Sequence, residues 1–224
     1  METIQIAIDG PAGAGKSTIA KRLADHLGFA YLDTGAMYRA VTWKAMKLNV
    51  DLEDEEAFDF LSETRFDYIK GSLTLDGDPL GDEIRSREVS NNVSLVSSHK
   101  TVRDILVHRQ KKLADNLNVV MDGRDIGTNV LPNADFKFFL TANVTTRAQR
   151  RFKENVKRGI HIPLEDLKQE IIKRDEFDSN RTISPLKPAS DAIVIDSSNM
   201  TIDEVINTIE VKVREEDSNG FNQS

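Results

Sequence analysis

The chain has 224 residues, enough for one domain or one domain with insertions, and carries a formal net charge of -7 from 30 Lys and Arg against 37 Asp and Glu. That balance gives no bulk attraction to a polyanion and argues against nucleic-acid polymers and membrane surfaces as partners. The chain has no cysteine, which excludes disulfides and thiolate metal sites, and an acidic start without any run of membrane-spanning length points to a cytoplasmic protein.

Apolar runs at 4–8, 29–32, 119–121, 136–140 and 192–195 alternate with amphipathic stretches. This alternation predicts an α/β fold of three layers, a central parallel five-stranded sheet with helices on both faces. Unbroken runs such as Phe136-Lys137-Phe138-Phe139-Leu140 suit strands covered on both sides. The first helix opens at a glycine-rich loop and stops at Gly28. Residues 64–82, "TRFDYIKGSLTLDGDPLGD", change to short alternating stretches broken by Gly71 and by Asp76-Gly77, which predicts a small inserted hairpin. The polar residues 216–224 read as a disordered tail.

The first strand runs into "DGPAGAGKST", in which Gly10, four residues, Gly15, Lys16 and Ser17 form a phosphate-binding loop in strand-loop-helix context. Backbone N–H groups of residues Gly10, Pro11, Ala12, Gly13, Ala14, Gly15, Lys16, Ser17 and Thr18, proline excepted, are disposed to surround phosphate oxygens. Lys16 reaches the β and γ oxygens of a nucleoside triphosphate and the Ser17 hydroxyl ligates Mg2+. Such a loop alone does not separate a switch GTPase, a motor and a small-molecule kinase. No Asn-Lys-X-Asp element for guanine is present, and Asp78-Pro-Leu-Gly81 lies in the inserted hairpin.

A kinase acting on a phosphorylated acceptor needs cations beyond the lysine and the metal. Arg39 follows the second strand in "YLDTGAMYRA", and Arg124 stands at a strand end in "MDGRDIGT". Both face the sheet edge where open α/β sheets bind ligands. "RDEFDSNRT" supplies Arg174, Asp178 and Arg181, the first two on one face if helical, and Arg147 and Arg151 share the same spacing after a strand. Asp33 reads equally as a helix cap. Arg22, Arg150 and Arg158 read as solvated charges, and the histidines at 26, 99, 108 and 161 indicate no metal site.

Together "GPAGAGKST", "LDTGAMYRA", "DGRDIGT" and "RDEFDSNR", in this order and spacing, closely resemble the bacterial cytidylate kinase family over nearly the whole chain. The resemblance implies a P-loop NTPase fold with a core (about 1–35, 99–145 and 182–215), an inserted nucleoside-monophosphate domain (about 36–98) and a helical lid (about 146–181). It implies MgATP-dependent phosphorylation of CMP and dCMP by a monomer. Carried over by motif, Arg39, Arg124 and Arg181 hold the acceptor phosphate. Ser94, Arg103 and Asp125 read the cytosine, Arg174 and Asp178 meet the ribose, and Thr34 and Tyr38 join the acceptor site. Asp122 keeps a strand-end role near the magnesium shell, and Lys16, Arg124, Arg147 and Arg151 act on the transferred phosphoryl group. Thr34 keeps a hydroxyl where relatives often have serine, and Phe177 stands at a lid position that is basic in some. A different phosphate-loop kinase, for UMP or a small metabolite such as shikimate, remains the main rival, and a nucleotide switch the second.

Overall fold

The structure is a computed structural model that describes residues 3–69 and 72–220. Five strands form one sheet in the order β2-β6-β1-β7-β8. They are β1 (Gln5–Asp9), β2 (Ala30–Asp33), β6 (Val119–Gly123), β7 (Phe136–Thr141) and β8 (Ile193–Asp196), and every pairing between them is parallel. All five strands match runs expected from the sequence. Alternation in β1 sends Ile6 and Ile8 to one face, with Leu23, Phe138 and Ile209, and Ala7 to the other, with Leu32, Met121 and Ile126. Both faces are therefore packed, as a parallel sheet requires.

Helix α1 (Lys16–Leu27) ends at Gly28, whose φ of 70° is open to glycine at no steric cost. Helix α2 (Thr34–Lys47) begins where Asp33 Oδ1 accepts the Ala36 N–H at 2.8 Å. The cap reading of Asp33 is thus correct.

The insertion is a three-stranded antiparallel sheet of β3 (Phe66–Ile69), β4 (Ser72–Leu75) and the two-residue β5 (Asp78–Pro79). The expected hairpin is present, and Asp76-Gly77 adds a third strand to it; the turn expected at Gly71 lies outside the described residues. Phe58, Phe66, Leu73 and Leu75 pack there with Met37 of α2 and Val93 of α3 (Arg87–Val96). This cluster also takes Val102 and Leu106 from α4 (Lys100–Ala114), so its packing runs past residue 98.

After β7 come α5 (Val144–Lys157) and α6 (Leu164–Asn180), a helical hairpin with its own small core of Ala148, Ile162, Leu167 and Ile171. Gly159, at φ 72°, turns the chain between them. The last helix, α7 (Ile202–Gly220), continues through the first part of the stretch expected to be disordered, and 221–224 lie outside the described residues. No helix among the described residues is long and apolar enough to cross a membrane.

Candidate functional site

One cleft of about 680 Å³ opens at the C-terminal ends of β1, β2 and β6, walled by the insertion on one side and the α5–α6 hairpin on the other. Its described lining holds twelve Lys and Arg against five Asp and Glu, in a chain whose net charge is -7. A polyanionic occupant is the chemistry that this local reversal of charge fits.

The loop after β1 approaches the neighbouring strand so closely that a Cβ on Gly10 would lie 2.0 Å from the Leu140 carbonyl oxygen. Gly10, Gly13 and Gly15 all have positive φ. Lys16 is buried, and its Nζ donates to the Pro11 carbonyl at 2.9 Å. Burial and the nearby Arg124 hold its pKa well below the usual lysine value.

Ser17 Oγ donates to Asp122 Oδ2 at 2.9 Å, and Tyr31 donates to Oδ1 at 2.8 Å. Asp122 is 3% exposed. Burial first, then the charge of Asp33, pushes its carboxyl up to about 6. Thr34 is oriented by its own bond to the Asp122 carbonyl at 2.8 Å.

Two carboxylates organise the arginines. Asp178 Oδ2 accepts from Arg124 Nε at 3.2 Å and lies 3.8 Å from Arg174 Nε, so both guanidinium groups converge on one oxygen, one from the residue after β6 and one from α6. Although burial opposes it, Arg124 and Arg174 hold the Asp178 carboxyl below the usual range. Asp125 is paired with Arg103 through Oδ2, and its Oδ1 is 3.8 Å from Arg181 Nη2. Arg103 is 2% exposed, lies 5.6 Å from the Tyr38 ring, and gives a further bond to the Ser97 carbonyl at 3.2 Å. Arg39 is placed in the same cleft, and burial lowers its pKa.

Most of the residues expected from the sequence are brought together: Thr34, Tyr38, Arg39, Arg103, Asp122, Arg124, Asp125, Arg151, Arg174, Asp178 and Arg181 all line the cleft with the glycine-rich loop. Two stand apart. Ser94 on α3 does not line it, although its Oγ is a buried atom without a hydrogen-bond partner, as is the Tyr38 hydroxyl. Arg147 points away from the cleft, into the base of the hairpin. It donates to the carbonyls of Ala142 (2.8 Å) and Ala12 (3.1 Å) and pairs with Asp175 at 2.6 Å.

Three residues escaped the sequence reading. Arg85 reaches Asp33 Oδ2 at 3.2 Å from the insertion. Arg150, expected to be solvated, donates to the carbonyls of Ala14 (3.1 Å) and Ser197 (2.7 Å), bracing the phosphate loop. Asp9 accepts two backbone N–H groups beyond Asp125. In each case the partner lies far away in sequence, where local spacing carries no signal.

The family model described as cytidylate kinase matches residues 6–215. A cytidylate kinase of Desulforamulus reducens is 54% identical over 208 residues, covering 91% of this chain and 94% of its own. That of Ligilactobacillus salivarius is 51% identical over 214 residues, covering 93% and 96%. Among solved structures, shikimate kinase from Bacteroides thetaiotaomicron aligns with a TM-score of 0.50 at 13% identity, covering 94% of this chain and 98% of its own. That likeness speaks to the phosphate-loop kinase fold alone. With a family match over residues 6–215, and half of all residues shared along nearly the full length of its relatives, the chain belongs to the cytidylate kinase family.

Proposed function

We propose that the protein transfers the γ-phosphoryl group of ATP to CMP and dCMP, forming the corresponding diphosphate and ADP, as a cytoplasmic monomer. The observation that carries this reading is the convergence of Arg39, Arg124, Arg174 and Arg181 in the same cleft that the Lys16 loop lines. A donor and an acceptor that are both phosphates repel each other, and cations fixed on both offset that repulsion.

In this reading Lys16 leaves its resting bond with Pro11 and meets the β- and γ-phosphate oxygens. Arg39, Arg124 and Arg181 hold the acceptor phosphate. Arg151 lines the cleft from the lid and neutralises charge as the phosphoryl group moves, while Arg147 serves by fixing the loop from behind. Arg103 and Asp125 read the cytosine with Ser94. Asp125 Oδ1 is the oxygen free of Arg103 and is the candidate acceptor for the 4-amino group. Arg174 and Asp178 meet the sugar. The acceptor is already an oxyanion, so positioning and charge stabilisation suffice without a general base.

Mg2+ fits the residues present. No cluster of three or more His, Cys, Asp or Glu able to hold a metal exists among the described residues. The buried Asp122 carboxylate, which accepts from the hydroxyls of Ser17 and Tyr31, nevertheless offers a negative charge beside the loop where a cation bound mainly by phosphates would be welcome. Bound there through the Ser17 hydroxyl, the ion would supply charge neutralisation between the β- and γ-phosphates.

A coupled ADP-release assay with ATP and each of CMP, dCMP, UMP, AMP and shikimate tests the proposal. Turnover with CMP and dCMP far above UMP is expected. Preference for UMP or shikimate, or hydrolysis of nucleoside triphosphate independent of any acceptor, would overturn it.

A further inference from the structure

Asp9 is the last residue of β1 and the residue immediately before Gly10, where the phosphate loop starts. It is 4% exposed. Its side chain faces away from the loop: Oδ1 accepts the Ile126 N–H and Oδ2 the Gly127 N–H, each at 2.8 Å. Both donors open the single π-helical turn Ile126–Val130, which follows directly on Arg124 and Asp125.

The first N–H groups of any helical turn have no partner within it. Asp125, the residue in cap position, accepts none of these backbone N–H groups with its side chain, whose Oδ2 is paired with Arg103 and accepts the Asn129 side-chain amide at 3.1 Å. The cap is therefore supplied from 117 residues away by the donor strand. Gly127 sits close against this cap: a Cβ there would lie in ordinary contact with Asp9 Oδ2 at 3.5 Å and would press on Lys137 Cδ at 3.2 Å. On its other side the dipeptide Arg124-Asp125 is tied to Gly123, whose register partner in β1 is again Asp9.

We infer that Asp9 is a positioning residue that sets Arg124 and Asp125 relative to the phosphate loop, so that the donor loop and the acceptor-binding segment share one anchor. It touches neither nucleotide and acts through the segment 124–127. The inference rests on the reading of Arg124 as an acceptor-phosphate ligand.

Asp9→Asn tests it, because asparagine keeps the shape and one acceptor but turns an NH2 toward the second N–H. Loss of one charge-assisted bond at the cap predicts KM for CMP raised by about tenfold or more, with KM for ATP changed by less than about threefold. In an Arg124→Ala background the same substitution should raise KM for CMP by clearly less than it does alone, since part of its effect passes through that residue. Equal increases in both KM values, no increase in either, or full additivity with Arg124→Ala would overturn the inference. Should Asp9→Asn fail to fold, amide exchange in the unliganded wild type decides it. Ile126 and Gly127 amides exchanging at the slow rate of the sheet support the anchor, and amides exchanging as fast as exposed loops sink it. Absence of CMP turnover in the wild type would instead bring down the functional reading itself.

Discussion

Arg147 of α5 and Asp175 of α6 meet at 2.6 Å, and the same guanidinium reaches the Ala12 carbonyl in the phosphate loop at 3.1 Å. One buried side chain thus staples α5 and α6 to each other and to the glycine-rich loop. It does so with its back to the cleft.

Arg147→Ala should therefore behave as a donor-site and stability variant. Breaking a buried pair costs about 3 kcal/mol at the low end of the range, because Asp175 is near enough to solvent to rehydrate. For a chain of this size that corresponds to a fall in Tm of roughly 6–12 °C. KM for ATP should rise more than KM for CMP. A variant with wild-type Tm and a loss confined to kcat would return Arg147 to the reacting phosphoryl group.

Lys16→Ala is expected to abolish turnover while CMP binding, measured by calorimetry without ATP, survives nearly intact. Lys16 opens α1 after the phosphate loop, whereas the arginines proposed for the acceptor stand in α2 (Arg39), just after β6 (Arg124) and just after α6 (Arg181). Removing a buried cation beside Arg124 even relieves a repulsion that lowers the pKa of Lys16. Loss of CMP affinity in step with loss of rate would contradict this separation.

For Asp125→Asn two effects should appear together. Arg103, buried and paired with Asp125 Oδ2, loses its counter-charge, so Tm falls and activity declines on every acceptor. Selectivity should also narrow, since an amide can rotate to donate to the uracil carbonyl, whereas the carboxylate only accepts. The contact is worth on the order of 1–3 kcal/mol, or roughly tenfold to hundredfold in the CMP to UMP ratio of kcat/KM. An unchanged ratio, with activity lowered alike on both, would leave Asp125 as a brace for Arg103 and remove it from base reading.

Asp122 gives a pH-dependent prediction for stability in EDTA. Its carboxyl, ordinarily near 3.8, is pushed up to about 6 in the folded protein by burial and by Asp33. An acid raised on folding binds more protons in the native state, so its contribution is fully present below pH 3.8 and is lost as pH rises through about 6. Asp122→Asn has no charge to desolvate. Its Tm should exceed that of the wild type at pH 8, with the gap closing toward pH 4, while MgATP no longer stabilises it. A gap that widens on acidification would show the carboxylate to be net stabilising.

The strands of the main sheet were all legible in the sequence because each is a short apolar run that a parallel sheet covers on both faces, Phe136-Lys137-Phe138-Phe139-Leu140 being the clearest. The phosphate loop and the arginines at strand ends were legible for a related reason: sheet topology sends every such end to one edge. Direction within helices was not. The spacing of Arg147 and Arg151 is correct for one face of α5, yet only the packing of α6 and the phosphate loop decides that Arg147 is spent on carbonyls while Arg151 lines the cleft. Arg150 and Asp9 show the same limit, since Ala14, Ser197, Ile126 and Gly127 become their partners only once distant strands are assembled.

The order of strands in the sheet carries a consequence for how the protein is made. β1 pairs only with β6 and β7, and β2 only with β6. A nascent chain that has emerged as far as Ala114 already contains the whole phosphate loop and Arg39, but its two core strands are never neighbours and have nothing to pair with. What such a chain can bury is the cluster of the insertion around Phe58 and Leu73, completed by Val102 and Leu106. During synthesis, then, the acceptor-side module can compact first, and the ability to hold a nucleotide arrives only when β6 slides between two strands made long before it.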